Sequence, residues 1–268
     1  MNSISHRPTI QMVAPFVCEL MGAEKPRMRC TESLERTDGI FAGGKTLDRL
    51  LIYAPDAIGE IFLRRFQDIR QTFAKAAPIE IHLYSVIPPK TPVCFASMFS
   101  GAPPSVHGIT KYERPVLAVD TMFDAILRAG KRIAIAAVKD SSIDLIFRNR
   151  TIDYFSEAYD SEVTDRTLEL IKTDEHELIL AYHQEYDDLL HRFGPYSTEA
   201  AAAAQRHSES AKLFAETLKN HWKGKRWGMA ITPDHGGHQT NGERLGDHGD
   251  NIPEDMEVMH FWRLEVNS

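Results

Sequence analysis

From residue 49 onward, short apolar runs alternate with longer stretches in which apolar positions return every three or four residues. The runs RLLIYAP (49–55), IHLYSVI (81–87), RIAIAAV (132–138), ELILAYH (177–183) and WGMAIT (227–232) have the length and continuity of strands buried on both faces. VMHFWRLEV (258–266) predicts a terminal or edge strand. Helical spacing fills AIGEIFLRRFQDIRQTFAKA (57–76), VDTMFDAILRAG (119–130), SEVTDRTLELIKT (161–173) and STEAAAAAQRHSESAKLFAETLKNHW (197–222), the last with an alanine run that favours helix. This alternation predicts an α/β fold: a mostly parallel central sheet with helices on both faces. The chain has no internal repeat and no low-complexity linker.

The first 46 residues read as an extension packed on the core, and residues 47–268 as a single domain. IQMVAPFVCELMG (10–22) has the pattern of an amphipathic helix, followed by a polar stretch. GGKT (43–46) resembles the end of a phosphate-binding loop, but no strand precedes it and that reading is set aside.

Composition narrows the function classes. With 43% apolar and 26% charged residues over 268 positions, the chain can bury a sizeable core. A formal net charge of -7 disfavours stable nucleic-acid binding, which draws on clustered Lys and Arg. Small phosphate-bearing substrates stay open as a class if the site brings its own cations. Cys18, Cys30 and Cys94 are scattered and form no C-x-x-C pair, which favours a reducing compartment. The N-terminal apolar run is broken by Pro15 and Glu19 without a cleavage-site pattern, and no uninterrupted run approaches the ~18 apolar residues of a membrane span. The expectation is a cytoplasmic protein with no membrane partner; its oligomeric state is left open.

In an open α/β sheet, ligands bind outside the carboxyl ends of the strands. Asp56 follows the first run, Thr91 the second, Asp187, Asp188 and His191 the fourth, and Asp234 and His235 the fifth; Asp247 and His248 lie in a later loop. Each has an ordinary alternative. Asp56 and Thr91 are good helix caps, with Pro92 at a first helical position and Gly101 at a helix end. Asp187 and His191, four apart on one helical face, suit a surface ion pair as well as chelation. Asp234-His235 and His248 precede glycines and suit turns. Their shared place at one sheet edge favours a metal centre: three Asp, three His and one Thr supply ligands for two borderline divalent cations, a pair suited to phosphoryl transfer. A threonine at a helix start also faces a positive dipole end, where an anionic group is held.

TPVCFASMFSGAPPSVHGIT (Thr91 to Thr110) resembles the nucleophile helix of the alkaline phosphatase superfamily, in the branch of the nucleotide pyrophosphatases/phosphodiesterases and phosphonoacetate hydrolases. The order Asp, Thr, D-x-x-x-H, DHG, HG over residues 56 to 249 agrees with it, as does HRFGPYS (His191 to Ser197). The resemblance implies an alkaline phosphatase-like core and a metal-dependent hydrolase of phosphoric esters. It implies that Asp56, Thr91, Asp234 and His235 hold one ion and Asp187, His191 and His248 the other, with zinc the expected metal and manganese the alternative. Thr91 would attack phosphorus and form a phosphothreonine, which a metal-bound hydroxide then releases. A sulfatase is disfavoured, because its nucleophilic cysteine would align with Thr91.

Two positions depart from the resemblance. Ala57 stands where a glycine is usual, a change expected to be harmless. Cys94 stands three residues after the nucleophile, where an asparagine is implied to bind a phosphoryl oxygen, and is itself expected to be a buried helix residue. Lys90 and His238 are further candidates for substrate contact. His107 reads as a turn-stabilising residue. The stretch between Gly108 and Asp187 has the length of core elements alone, which predicts a minimal cap and an open site. A phosphonate (C–P) hydrolase is the second reading, with only Lys90 and Lys111 at hand for a substrate carboxylate; a catalytically inactive metal-binding protein is the third.

Overall fold

The five internal apolar runs become strands of one sheet in a computed structural model that describes residues 8–31, 33–34 and 46–266. The strands are β1 (Arg49–Pro55), β2 (Ile79–Tyr84), β3 (Ile133–Val138), β4 (Asp153–Glu157), β5 (Leu178–His183), β6 (Trp227–Ile231) and β9 (Glu257–Glu265), in the order β2-β9-β6-β1-β5-β3-β4. β7 (His238–Gln239) and β8 (Gly246–Asp247) form a separate two-stranded ladder. In β1 the alternation of a strand buried on both faces is explicit: Leu50, Ile52 and Ala54 enter one apolar cluster, and Leu51 and Tyr53 enter the other. Among the described residues, no helix is long and apolar enough to cross a membrane.

Three features differ from the sequence reading. β9 is not an edge strand; it lies between β2 and β6, antiparallel to both. The chain reaches it from a loop and a short helix (Pro253–Met256) at the edge where the parallel strands end, so it must run back against them. β4 was not anticipated, because DYFSE is an edge strand with no fully buried position and carries no apolar run. The helical stretch 57–76 is two helices, Glu60–Arg65 and Gln67–Ala76, broken at Phe66, whose φ of -107° and ψ of 73° are not helical.

The segment Ile10–Leu20 enters the same apolar cluster as the Thr91–Ser100 helix and Trp262, with Thr9 bridged to Tyr84 at the end of β2. Gly43, Gly44 and Lys45 lie outside the described residues. With Gly39 they do complete the spacing of a phosphate-binding loop, but the chain enters β1 at Arg49, where that motif requires a helix.

β2, β6, β1 and β5 are mutually parallel, so their carboxyl ends deliver the following residues to one edge. At that edge Ala57 has a φ of 60°, left-handed backbone that favours glycine. The substitution relative to the usual glycine is therefore a strain. Ala57→Gly is expected to raise unfolding free energy by about 1 kcal/mol in urea titrations, the relief of left-handed strain exceeding the added chain entropy. No gain, or a loss, would place the strain elsewhere.

Candidate metal centre

The predicted ligands reach the centre from separate elements, singly or in pairs. Asp56 directly follows β1, and Asp234 and His235 come after β6 with Thr232 and Pro233 between; all three are buried. Asp187 and His191 are one turn apart in the Glu185–Phe193 helix, and His248 comes from the loop after β8. Thr91 opens the fully buried Thr91–Ser100 helix, which Gly101 ends in left-handed conformation. Gly236 is needed for close approach rather than for an unusual turn: a Cβ there would stand 2.0 Å from the Glu254 carbonyl oxygen and 2.9 Å from Gly59 Cα.

The side chains gather as two adjoining trios, Asp56-Asp234-His235 and Asp187-His191-His248, each with its ligand atoms within 4.8 Å of one another. The rings of His235 and His248 stack across the seam at 4.0 Å between centroids. The Thr91 hydroxyl lies 3.2 Å from His235 Nε2 and 3.4 and 3.5 Å from the Asp56 carboxylate oxygens.

All three imidazoles are oriented alike. His235 Nδ1–H donates to the Gly236 carbonyl at 2.8 Å, His248 Nδ1–H to Pro89 at 2.8 Å and His191 Nδ1–H to Gly246 at 3.0 Å. In a neutral ring this leaves the Nε2 lone pair facing inward, the orientation that a backbone carbonyl typically imposes on a metal-ligating histidine. Burial keeps the rings neutral: His235 is pushed down to about 3, His248 well below its ordinary value, and His191 also down.

Carboxylates face those lone pairs. His235 Nε2 is 3.4 Å from Asp234 and 3.6 Å from Asp56, while His191 and His248 Nε2 are each 3.5 Å from Asp187. Asp234 Oδ2 and Asp187 Oδ1 are buried without a hydrogen-bond partner. Burial first, and neighbouring carboxylates second, push Asp56, Asp187 and Asp234 well above the ordinary carboxyl value. Acceptors thus face acceptors across gaps that a cation would fill.

The remaining candidates fall outside the trios. Cys94 is buried, with Sγ 3.1 Å from Ser85 Oγ, and Ser85 in turn donates to the Asp234 carbonyl. Lys90 Nζ donates to the His248 carbonyl and lies 3.5 Å from Asp247, which pins the His248 loop. His238 Nδ1 is 2.8 Å from Asp255, whose other oxygen accepts the Gly249 and Asp250 amides. Asp188 interacts with Gln184, and the Asp247 carboxylate accepts the His248 amide. His107 bonds Ser97 and the Ile109 amide and stabilises its turn. Sequence reasoning missed Tyr182, whose hydroxyl donates to Asp56 Oδ2; inside an apolar run, nothing marks it as a site residue.

A largely parallel sheet carrying two carboxylate–imidazole trios beside a threonine at a helix start defines the alkaline phosphatase-like class of α/β proteins. Residues 116–265, more than half of the chain, match the family model for type I phosphodiesterase / nucleotide pyrophosphatase, and the chain belongs to that family. The matched region contains Asp187, His191, Asp234, His235 and His248 and begins after Asp56 and Thr91. Among solved structures, an inactive murine ectonucleotide pyrophosphatase / phosphodiesterase 5 in complex with AMP is similar with a TM-score of 0.59 and 17% identity, over 74% of this chain and 59% of that one. Phosphonoacetate hydrolase from Sinorhizobium meliloti, in complex with phosphonoformate, is similar with a TM-score of 0.53 and 18% identity, over 71% of this chain and 57% of that one. The chain therefore spans less than two thirds of the length of these relatives. No curated protein matches it.

The raised carboxyls give the metal-free protein a characteristic pH response. Their folded-state values exceed the ordinary 3.8, so the fold loses stability as pH rises from 3.8 through the raised values. The depressed histidines act oppositely, costing stability as pH falls below 6.5. Asp234→Asn removes one buried carboxyl. In chelator at neutral pH it is expected to be more stable than the parent by about 1–2 kcal/mol, with a shallower pH slope, and after metal loading to hold about one equivalent less metal. Urea titration and elemental analysis read both effects; a less stable metal-free variant with unchanged metal content would contradict the electrostatic reading.

Proposed function

We propose that the protein is a two-metal hydrolase of phosphate esters, diester or monoester, with Thr91 as nucleophile. The observation that carries this reading is the position of the Thr91 hydroxyl within 3.2–3.5 Å of both His235 and Asp56, beside the seam between the trios. Asp56, Thr91, Asp234 and His235 would hold one ion, and Asp187, His191 and His248 the other. Carboxylate, hydroxyl and imidazole donors fit zinc, with manganese the alternative. Bound there, the ions would supply positive charge to offset the phosphoryl oxygens and favour ionised threonine.

The chain's own groups then account for the steps. The Asp56 carboxylate lies within reach of the Thr91 hydroxyl proton, while the His235 Nε2 lone pair would be committed to the ion. Thr91 Oγ bonds to phosphorus as the ester alcohol leaves with its bonding electron pair, giving a phosphothreonine; water attacks that phosphorus and restores the threonine. At the helix start, Pro92 has no amide hydrogen, and the Val93 and Cys94 amides donate to the Lys90 carbonyl. The Thr91 amide is the donor of that turn left for a phosphoryl oxygen.

The phosphate-ester reading is preferred to a phosphonate hydrolase because Lys90 is engaged by the His248 loop and Lys111 is exposed beside Glu113 at 3.6 Å. Thr91→Ala is expected to lower kcat/KM on an aryl phosphodiester or monoester by about 1,000-fold or more. Phosphonoacetate should be the poorest of the three substrates. Equal turnover by parent and variant would remove Thr91 as nucleophile, while phosphonoacetate as the best substrate would favour C–P cleavage.

A further inference from the structure

A third group of metal-type side chains lies outside the two trios described above. Neighbouring side chains on a strand point to opposite faces, so Tyr182 reaches Asp56 while His183, the next residue of β5, points away from it. On that face, His183, His207 of the Thr198–His221 helix and Asp160 at the start of the Asp160–Thr173 helix bring ligand atoms within 4.8 Å of one another. All three line a cavity of about 570 Å³.

We propose that Asp160, His183 and His207 bind a third divalent cation of the zinc type, at a site separate from the two-ion centre. His207 is 1% exposed; its Nε2 lies 2.8 Å from Asp160 Oδ2, and its Nδ1 has no hydrogen-bond partner. A buried ring nitrogen without a partner is costly, and its ring lines the cavity. The Tyr53 hydroxyl, 2.9 Å from His183 Nδ1, orients that ring with Nε2 on Thr164 at the cavity wall, the kind of support that metal-ligating histidines use. Burial pushes His183 down to about 3, leaving a neutral donor. Asp165, Glu185, Asp188 and Glu209 also line the cavity, against the single guanidinium of Arg206, so its charge favours a cation. Two imidazoles and one carboxylate suit a borderline metal, and the cavity leaves room for water as a further ligand.

The site is joined to the main centre through the backbone. The Asp160 carboxylate accepts the Gln184 and Glu185 amides, both at 3.0 Å, at the start of the helix that carries Asp187 and His191. A cation on Asp160 would brace that helix from its outer side, making the third ion a positioning element for two ligands of the main centre.

Metal content of the full chain, loaded with Zn2+ and then desalted, tests the proposal. His207→Gln is expected to hold about one equivalent less than the parent, whatever the main centre holds. The double variant Asp187→Asn, Asp234→Asn, loaded with Co2+, is expected to keep a visible absorption band from a histidine-bound ion, and adding His207→Gln should abolish it. Equal Zn2+ content in parent and His207→Gln, with both folded by circular dichroism, would overturn the proposal, as would a double variant that is folded and binds no Co2+. Failure of the two-ion reading has a different signature, in which the parent holds a single equivalent that His207→Gln removes.

Discussion

Three imidazole lone pairs and three carboxylates, all buried except the half-buried Asp187 and His191, face one another in the arrangement on which the rest of this structure depends. The rings do not supply the proton for a conventional hydrogen bond to the carboxylates, because each spends its Nδ1–H on a backbone carbonyl. Burial penalises the carboxylates as anions and the rings as cations, so the two trios are poorly satisfied by the chain itself. A pair of divalent ions would resolve both problems at once by giving the inward lone pairs a ligand bond.

Holding such a site together requires a rigid surround. The Thr91–Ser100 helix has all ten residues buried, and Phe99 packs against Phe95, Phe123 and Phe147 at centroid distances of 5.3–5.7 Å. Phe16, from the segment before the sheet, meets Trp262 of β9 edge-on at 5.0 Å, so both ends of the described chain enter the core behind the Thr91–Ser100 helix. The buried Asp255 joins the loops that carry His235 and His248: its carboxylate receives the Gly249 and Asp250 amides and His238, and its carbonyl receives the Gly236 amide. Lys90 adds a link from the start of the Thr91–Ser100 helix to the His248 carbonyl. His238 and Lys90 thereby acquire structural duties that their places in the chain do not advertise.

Much of this was legible in the sequence because parallel strands buried on both faces leave continuous apolar runs, and because an α/β sheet gathers the residues after each strand at one edge. Asp187 and His191 were marked by helical spacing, and Asp56, Asp234 and His235 by position after a strand. The same continuity hides direction. In LILAYH nothing distinguishes Tyr182, which points to the main centre, from His183, which points to the opposite face. β4 was invisible because its residues are half exposed, and the interior position of β9 is a property of topology that no local pattern carries. Cys94, about one helical turn after Thr91, meets Ser85, a contact that helical spacing alone does not carry.

Whether the two trios are a pair of ion sites flanking Thr91 is tested most directly by anomalous diffraction at the zinc absorption edge, from crystals of the zinc-loaded protein. One peak is expected within Asp56-Asp234-His235 and one within Asp187-His191-His248, about 4 Å apart, with Thr91 Oγ beside the first. An absence of anomalous density in either trio of a fully loaded crystal would contradict a two-ion centre.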